Sequence, residues 1–518
     1  MKKFILLTLF YLPIIAFCFA RTNIVVISAE EIASQSGSLN DAVTSLAGQG
    51  YGILHYDRHY ILAIAPEIPN TPMIEASFLS EYPPAENIYL VGKIPGFARE
   101  SLDKVGKVLW EMDATYVLES GLDDLELQGV LRNPFARLSL EPLRLSSDRG
   151  KISLWEADRS VITNLVSTVS ADSILVRLQG LQDLQTRYAM AENRLQVAQW
   201  IQQRFLDLGI ADVDLQPFTY QSTTQYNVVA TIPGTTYPNE YVIVGGHHDS
   251  RSNDTNPLAF APGADDNGSG TAATLEMARV LAQNGYQPKC SIRFVTFAAE
   301  EFGLWGSKFY AQDALNAGQS IRLMINHDMI ANEPDPEDWQ VRLMPYDGSY
   351  AFSDYATQLT EQFTNLDAYY GSLNSGSSDS YPFWQRGYHA IYFFESVFSP
   401  YYHSSQDIIA NCNPAYCADV IKASLACAVA FADQPAVPTA PEGLAITRNG
   451  LDFQITWSAV TESVLGALVV PSGYNVYASS LPDGDFMLLG TTPNLFFNYT
   501  PTDPEPDRLF FKVQAVLE

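Results

Sequence analysis

The 518-residue sequence predicts an α/β protein. Its centre is a mainly parallel mixed sheet flanked by helices. An α+β domain precedes it and a small all-β sandwich follows. Three observations carry this. Helical and strand patterns alternate from residue 170 to 433. The strand at 241–246 is almost wholly apolar, as in a sheet covered on both faces. After a Pro- and Ala-rich stretch at 434–441, the chain holds only short alternating strands with Gly, Pro, Asp and Asn turns.

Residues 1–20 read as a secretory signal peptide: Met1, Lys2 and Lys3, an apolar run over 4–19, then Ala20. The run is short for a transmembrane helix and Pro13 interrupts it. A secreted or periplasmic protein is therefore expected, with no transmembrane segment after signal removal. Residues 21–155 carry a strand at 24–27, a helix at 39–46 and a hairpin at 51–64. A similar order recurs at 88–91, 99–105 and 107–118, which suggests a duplication. This region is expected to be an accessory domain, or a pro-segment that assists folding or covers the site. His55 and His59 flank a turn and read as surface residues rather than a metal pair.

In the stretch 170–433, Val197, Ile201, Phe205 and Leu208 share one helix face, and Gly209 ends the helix. Strands are predicted at 227–232, 241–246, 291–297, 323–330 and 391–394, with helices at 272–282 and 420–431. In 438–518, strands are predicted at 455–457, 474–477, 486–489 and 509–516. The order of Trp457, then Tyr474-Asn475-Val476-Tyr477, then a last apolar strand resembles a fibronectin type III domain. Such a module implies a spacer, or a unit contacting a surface or glycan.

The formal charge is −28, so phosphate backbones and anionic lipid would be repelled and nucleic-acid binding is not expected. With 47% hydrophobic and 17% charged residues, the chain is not of a disordered class. Cys18 lies in the signal. Cys412 and Cys417, in the loop CNPAYC, are expected to form a disulfide in an exported protein. Cys290 and Cys427 read as buried thiols.

Chemistry concentrates in five segments where apolar runs end, which is where sites form in open α/β sheets. They are GGHHDS (His247, Asp249), PGADDNGSG (Asp265, Asp266), AAEEFGLWGS (Glu300, Glu301), NHDM (Asp328) and YHSSQD (His403). Adjacent acids in a dry site repel unless a cation sits between them. A metal-bound imidazole needs its second nitrogen held, and a nearby Asp suits that need.

Together these pieces resemble the M28 family of zinc peptidases, the aminopeptidase Y-like and leucyl aminopeptidase group, over residues 175–433. The resemblance implies two Zn²⁺ ions. His247 and Asp328 would hold one and Glu301 and His403 the other, with Asp266 bridging. Asp249 would orient His247. Glu300 would act as general base toward a water bridging the metals. Tyr402 would supply a hydroxyl to the developing oxyanion. A cis peptide bond after Asp266 is also implied. Where the family often has Ser-Asp-His, this chain has Ser378-Asp379-Ser380. His248, His327 and His389 are read as structural. The expected function is an exported aminopeptidase acting on peptides. The alternatives are a carboxypeptidase or glutaminyl cyclase of the same fold, or a non-catalytic binding protein using its last module.

Overall fold

The computed structural model describes residues 22–517 except 37–38, 58, 66–75, 83, 85, 95–97, 113–114, 141, 144–157, 336–337, 435–437, 451, 464–468, 482–485 and 502–507. The signal at 1–20 and part of the 434–441 linker lie outside the described residues. The chain divides into two compact units, 1–86 with 139–142, and 87–138 with 143–518.

The first unit is a four-stranded antiparallel sheet. Its order is Gly52–Tyr56, Tyr60–Ala65, Thr22–Ser28, Ala76–Tyr82. Its core is aliphatic, with Ile24, Val25, Val43 and Leu46 at 1% exposure or less.

The second unit opens with another four-stranded antiparallel sheet, in the order Lys107–Glu111, Thr115–Ser120, Asn87–Gly92, Phe135–Arg137. Taken in chain order, both sheets read second, third, first, fourth strand. The recurrence visible in the sequence is therefore a shared topology. The helix Asp124–Val130 precedes the last strand and starts with a full capping box between Asp123 and Glu126.

The central sheet has eight strands. Its order is Asp367–Tyr370, Gln340–Met344, Ala390–Glu395, Ser320–His327, Tyr237–His247, Cys290–Phe297, Thr223–Ile232, Asp212–Tyr220. The four middle strands, from Ala390–Glu395 to Cys290–Phe297, are mutually parallel. Antiparallel pairs join them to both flanks. The predicted mainly parallel sheet is what the chain forms.

Gly245 and Gly246 end the apolar strand because nothing larger fits. A Cβ at Gly245 would lie 2.4 Å from the Val295 carbonyl oxygen, and one at Gly246 would lie 2.5 Å from that of His327. The helix Pro414–Ala432 is long and apolar enough to cross a membrane, but here it is buried in the core. Its predicted start at 420 was late because Asn413 caps it and Pro414 opens it. The edge strand Asp367–Tyr370 is short and mostly exposed, so no apolar alternation announced it.

The last module is a β-sandwich of two three-stranded sheets among the described residues. One is Ala445–Asn449, Asp452–Thr456, Phe496–Tyr499, and the other is Met487–Thr492, Gly473–Ser479, Phe510–Val516. Ile455, Trp457, Tyr474, Val476 and Val513 pack between them.

Candidate active site

All the candidate metal residues follow the carboxyl ends of the parallel strands or the loops beside them. His247 is the last residue of Tyr237–His247. Glu300 and Glu301 lie in the turn after Cys290–Phe297, and Asp328 directly follows Ser320–His327. His403 lies in the loop after Ala390–Glu395. The turns are tight: Ala299 (φ 56°), Leu304 (φ 64°), Met329 (φ 51°) and His403 (φ 52°) are all left-handed without being glycine. Such conformations cluster at functional sites.

The side chains converge in two corners. In the first, His247 Nε2 lies 3.4 Å from Asp266 Oδ1, 3.5 Å from Asp328 Oδ1 and 3.6 Å from Glu300 Oε2. In the second, His403 Nε2 lies 3.0 Å from Asp266 Oδ2 and 2.9 Å from Glu301 Oε2. The two oxygens of Asp266 thus face the two histidines. The peptide bond from Asp266 to Asn267 is cis.

The donor set fits zinc, which takes imidazole nitrogen and carboxylate oxygen. Asp266 Oδ2, Glu301 Oε1 and His403 Nε2 are buried with no hydrogen-bond partner, although the acids and the imidazole nearly touch. Donors that converge without bonding one another suit a common cation.

The electrostatics agree. Burial lifts Glu300 well above the usual carboxylate range; His247 opposes this, while Asp328 and Asp379 add to it. Burial also raises Glu301 and Asp328. Burial works to raise Asp266 too, but His247 and His403 hold it below its ordinary value. Burial would lower His247, yet Glu300 and Asp328 pull it well above. The cluster demands positive charge.

Asp249 does more than orient one imidazole. Its carbonyl oxygen is 3.1 Å from His247 Nδ1, nearer than its carboxylate at 3.6 Å. The carboxylate instead accepts the backbone N–H groups of Glu300 (3.0 Å) and Glu301 (3.3 Å). One residue therefore sets the position of His247 and of both glutamates. Tyr402 is buried, lines the same cavity and stacks on His403 with ring centroids 3.6 Å apart. Burial, with Asp266 and Glu301 nearby, holds its phenol well above its ordinary pKa, so it stays a donor.

Other supports had no reading in the sequence. Ser378 donates to Asp328 Oδ2 at 2.6 Å and accepts from Asn326 at 2.7 Å. Asp407 accepts the N–H groups of Asp265 and Asp266 at 2.8 and 3.0 Å. Buried Arg187 donates to the carbonyls of His248, Pro262 and Gly263 at 2.7–2.8 Å, tying two ligand loops together. The motif lettering signalled only Ser378 and Asp407, and neither role.

His248 and His327 take no part in the two corners. His248 Nδ1 is 3.0 Å from Thr296 Oγ1, and His327 Nδ1 is 3.3 Å from the Gly245 carbonyl. His389 packs at a tilt against Phe352, ring centroids 4.6 Å apart, and lies 3.2 Å from Ser349 Oγ. Ser380 meets the Tyr346 hydroxyl at 2.8 Å.

The expected Cys412–Cys417 disulfide is corrected: both cysteines are free, as are Cys290 and Cys427. Burial, with Asp265 nearby, raises both thiols above their ordinary pKa. Cys412 Sγ instead points to the Ile408 carbonyl at 3.7 Å.

Residues 227–428 match Peptidase family M28. The chain is 30% identical to leucine aminopeptidase 1 of Coccidioides posadasii, over 52% of this chain and 69% of that one. It is 32% identical to a probable zinc metalloprotease of Pyrenophora teres f. teres, over 33% of this chain and 41% of that one. Among solved structures, the LapA aminopeptidase of Legionella pneumophila aligns with a TM-score of 0.54 and 20% identity, over 68% of this chain and 100% of that one. That likeness is one of fold.

Proposed function

Because the chain belongs to peptidase family M28 and is a zinc-dependent metallopeptidase, we propose that it is an exported aminopeptidase working with two zinc ions. His247, Asp266 and Asp328 would hold one ion, and Asp266, Glu301 and His403 the other. The observation that carries this is Asp266, whose two oxygens lie 3.4 and 3.0 Å from the two imidazoles.

When bound, the ions would polarise the scissile carbonyl and acidify a water. Glu300 takes that water's proton as the carbonyl carbon is attacked, then gives it to the leaving amine. Asp249 fixes Glu300 through its backbone N–H while fixing His247 by its own carbonyl. Tyr402 offers its hydroxyl to the oxyanion. The surrounding carboxylates favour a substrate with a free, charged N-terminus, hence an exopeptidase.

The basic start and apolar run of residues 1–20 support export to the periplasm or the medium. The last module, read as fibronectin type III-like, would contact a surface or glycan. Its support is the Trp457–Tyr474 ring pair, 5.4 Å between centroids, at the middle of the sandwich.

The test uses one peptide with a free and with an acetylated N-terminus. The free peptide should lose residues one by one and the acetylated one should not react. Equal cleavage of both refutes the aminopeptidase reading.

A further inference from the structure

The antiparallel sheet of residues 87–138 meets the catalytic residues at one cavity. That cavity, of 260 Å³, is lined by His247, Glu300, Glu301 and Asp328 on one side. Leu90, Ile94, Pro134 and Phe135 of the small sheet line it as well. Met329, Tyr392, Phe394 and Phe398 add further apolar lining, beside polar residues such as Asn133, Arg342 and Ser375. The ligand residues still open into this space, so the small sheet lines the site without filling it.

The sheet is also fastened to the turn that carries Glu300 and Glu301. Asp124, 2% exposed, accepts from Trp305 Nε1 at 3.0 Å, from Arg137 at 2.9 Å and from the Tyr89 hydroxyl at 2.9 Å. Gly303 passes so close that a Cβ there would touch Asp124 and Arg137 at 3.8–3.9 Å. Lys308 donates to the Arg137 carbonyl at 3.3 Å, and the Tyr188 hydroxyl donates to Gln128 at 2.9 Å. Arg251 lines the cavity within the field of Glu301 and donates to the carbonyls of Gln128 and Leu131. Removing the sheet would strip buried Arg251 of two carbonyl acceptors beside the reacting groups and leave it Asn253. A pro-segment that leaves would have to give up these buried bonds.

Resting on the aminopeptidase reading above, we propose that residues 87–138 are a permanent wall of the substrate pocket, in which Leu90, Ile94 and Phe135 select the side chain of the residue being removed. These three residues give their stretch of the wall an apolar surface, so it takes an apolar side chain, and its reach sets the size admitted.

The test uses the full chain with zinc bound and a panel of alanyl-, leucyl- and phenylalanyl-anilides. Ile94 is half-buried just beyond a strand end, so Ile94→Trp should fold and should lower kcat/KM for the large substrates against alanyl by at least about tenfold. Phe135→Ala should shift the ratio the other way. Ratios that stay unchanged in both variants, with normal zinc content, overturn the wall. N-terminal sequencing of the most active natural form is the second readout. A form starting before residue 87 supports the proposal, and a fully active form starting after residue 138 overturns it. An unaltered enzyme inert toward every anilide would instead count against the aminopeptidase reading, a failure distinct from normal hydrolysis with unshifted ratios.

Discussion

His247 and His403 sit at opposite ends of the same carboxylate, Asp266, and are held in unlike ways. His247 ends a central strand, and its Nδ1 has the Asp249 carbonyl at 3.1 Å. Around it, Asp328 is fixed by Ser378 and Glu300 by the Asp249 carboxylate. His403 comes from a loop, in a left-handed conformation, with Nδ1 buried and unpartnered among the described residues. Its main support is the stacked ring of Tyr402. The first imidazole is therefore held by the fold through its second nitrogen, while the second imidazole has no such hydrogen bond among the described residues. A metal ligand whose second nitrogen has a partner binds more tightly than one without.

The sharpest way to separate the corners is Glu300→Gln. Glu300 lies as near His247 as the presumed ligands do, at 3.6 Å, so geometry alone permits it a place in the first corner. As the base, its loss should cost about 10²–10⁴ in kcat and leave both ions bound. Metal analysis beside the rate decides it. If one zinc departs, Glu300 belongs to the ligand set and the proton carrier is another group.

The first corner also depends on what lies behind its strands. His248 and His327 are buried neighbours of ligands, and burial lowers both to about 4. For His248, Asp249 works against that fall, while Arg187 and His247 add to it. Unfolded, each histidine titrates near its ordinary value of 6.5. The unfolded chain thus binds the extra proton first as pH falls. Stability is complete above about pH 6.5 and declines toward pH 4, by about 3 kcal/mol for each histidine. His327 stacks on Phe393 with centroids 6.0 Å apart, so His327→Phe keeps a ring in place. Urea unfolding of wild type and variant should diverge by about that amount between pH 7 and pH 4. A pH-independent difference would mean that His327 titrates normally in the folded chain.

The corners differ in legibility as they do in support. The converging residues were readable because metal chemistry allows few residue types, and those stand out at the ends of apolar runs. Much of what holds them was not. Arg187 grips three backbone carbonyls, and Arg251 grips those of Gln128 and Leu131. Every residue has a carbonyl, so such acceptors leave no mark in the sequence. The role of residues 87–138 was hidden for the same reason. The parallel strands were legible from unbroken apolar runs, whereas the exposed edge strand Asp367–Tyr370 had none. The disulfide was an expectation from spacing and export alone, and the structure holds both cysteines as free thiols.

The smallest predicted effect tests the asymmetry itself. If the corners differ by one supporting contact on an imidazole, their zinc affinities should differ by about 10–100-fold. Dialysis against graded chelator should then remove zinc in two steps, with a plateau near one ion per chain. His403→Ala should start at that plateau. Asp249→Ala should keep it, because the carbonyl that holds His247 is main chain, while losing the carboxylate frees the backbone N–H groups of Glu300 and Glu301 and loosens the weaker corner further. Loss of both ions in one step from the unaltered protein would mean that Asp266 couples the corners too strongly for separate support to matter. The bridge, not the backing of each histidine, would then set the affinity.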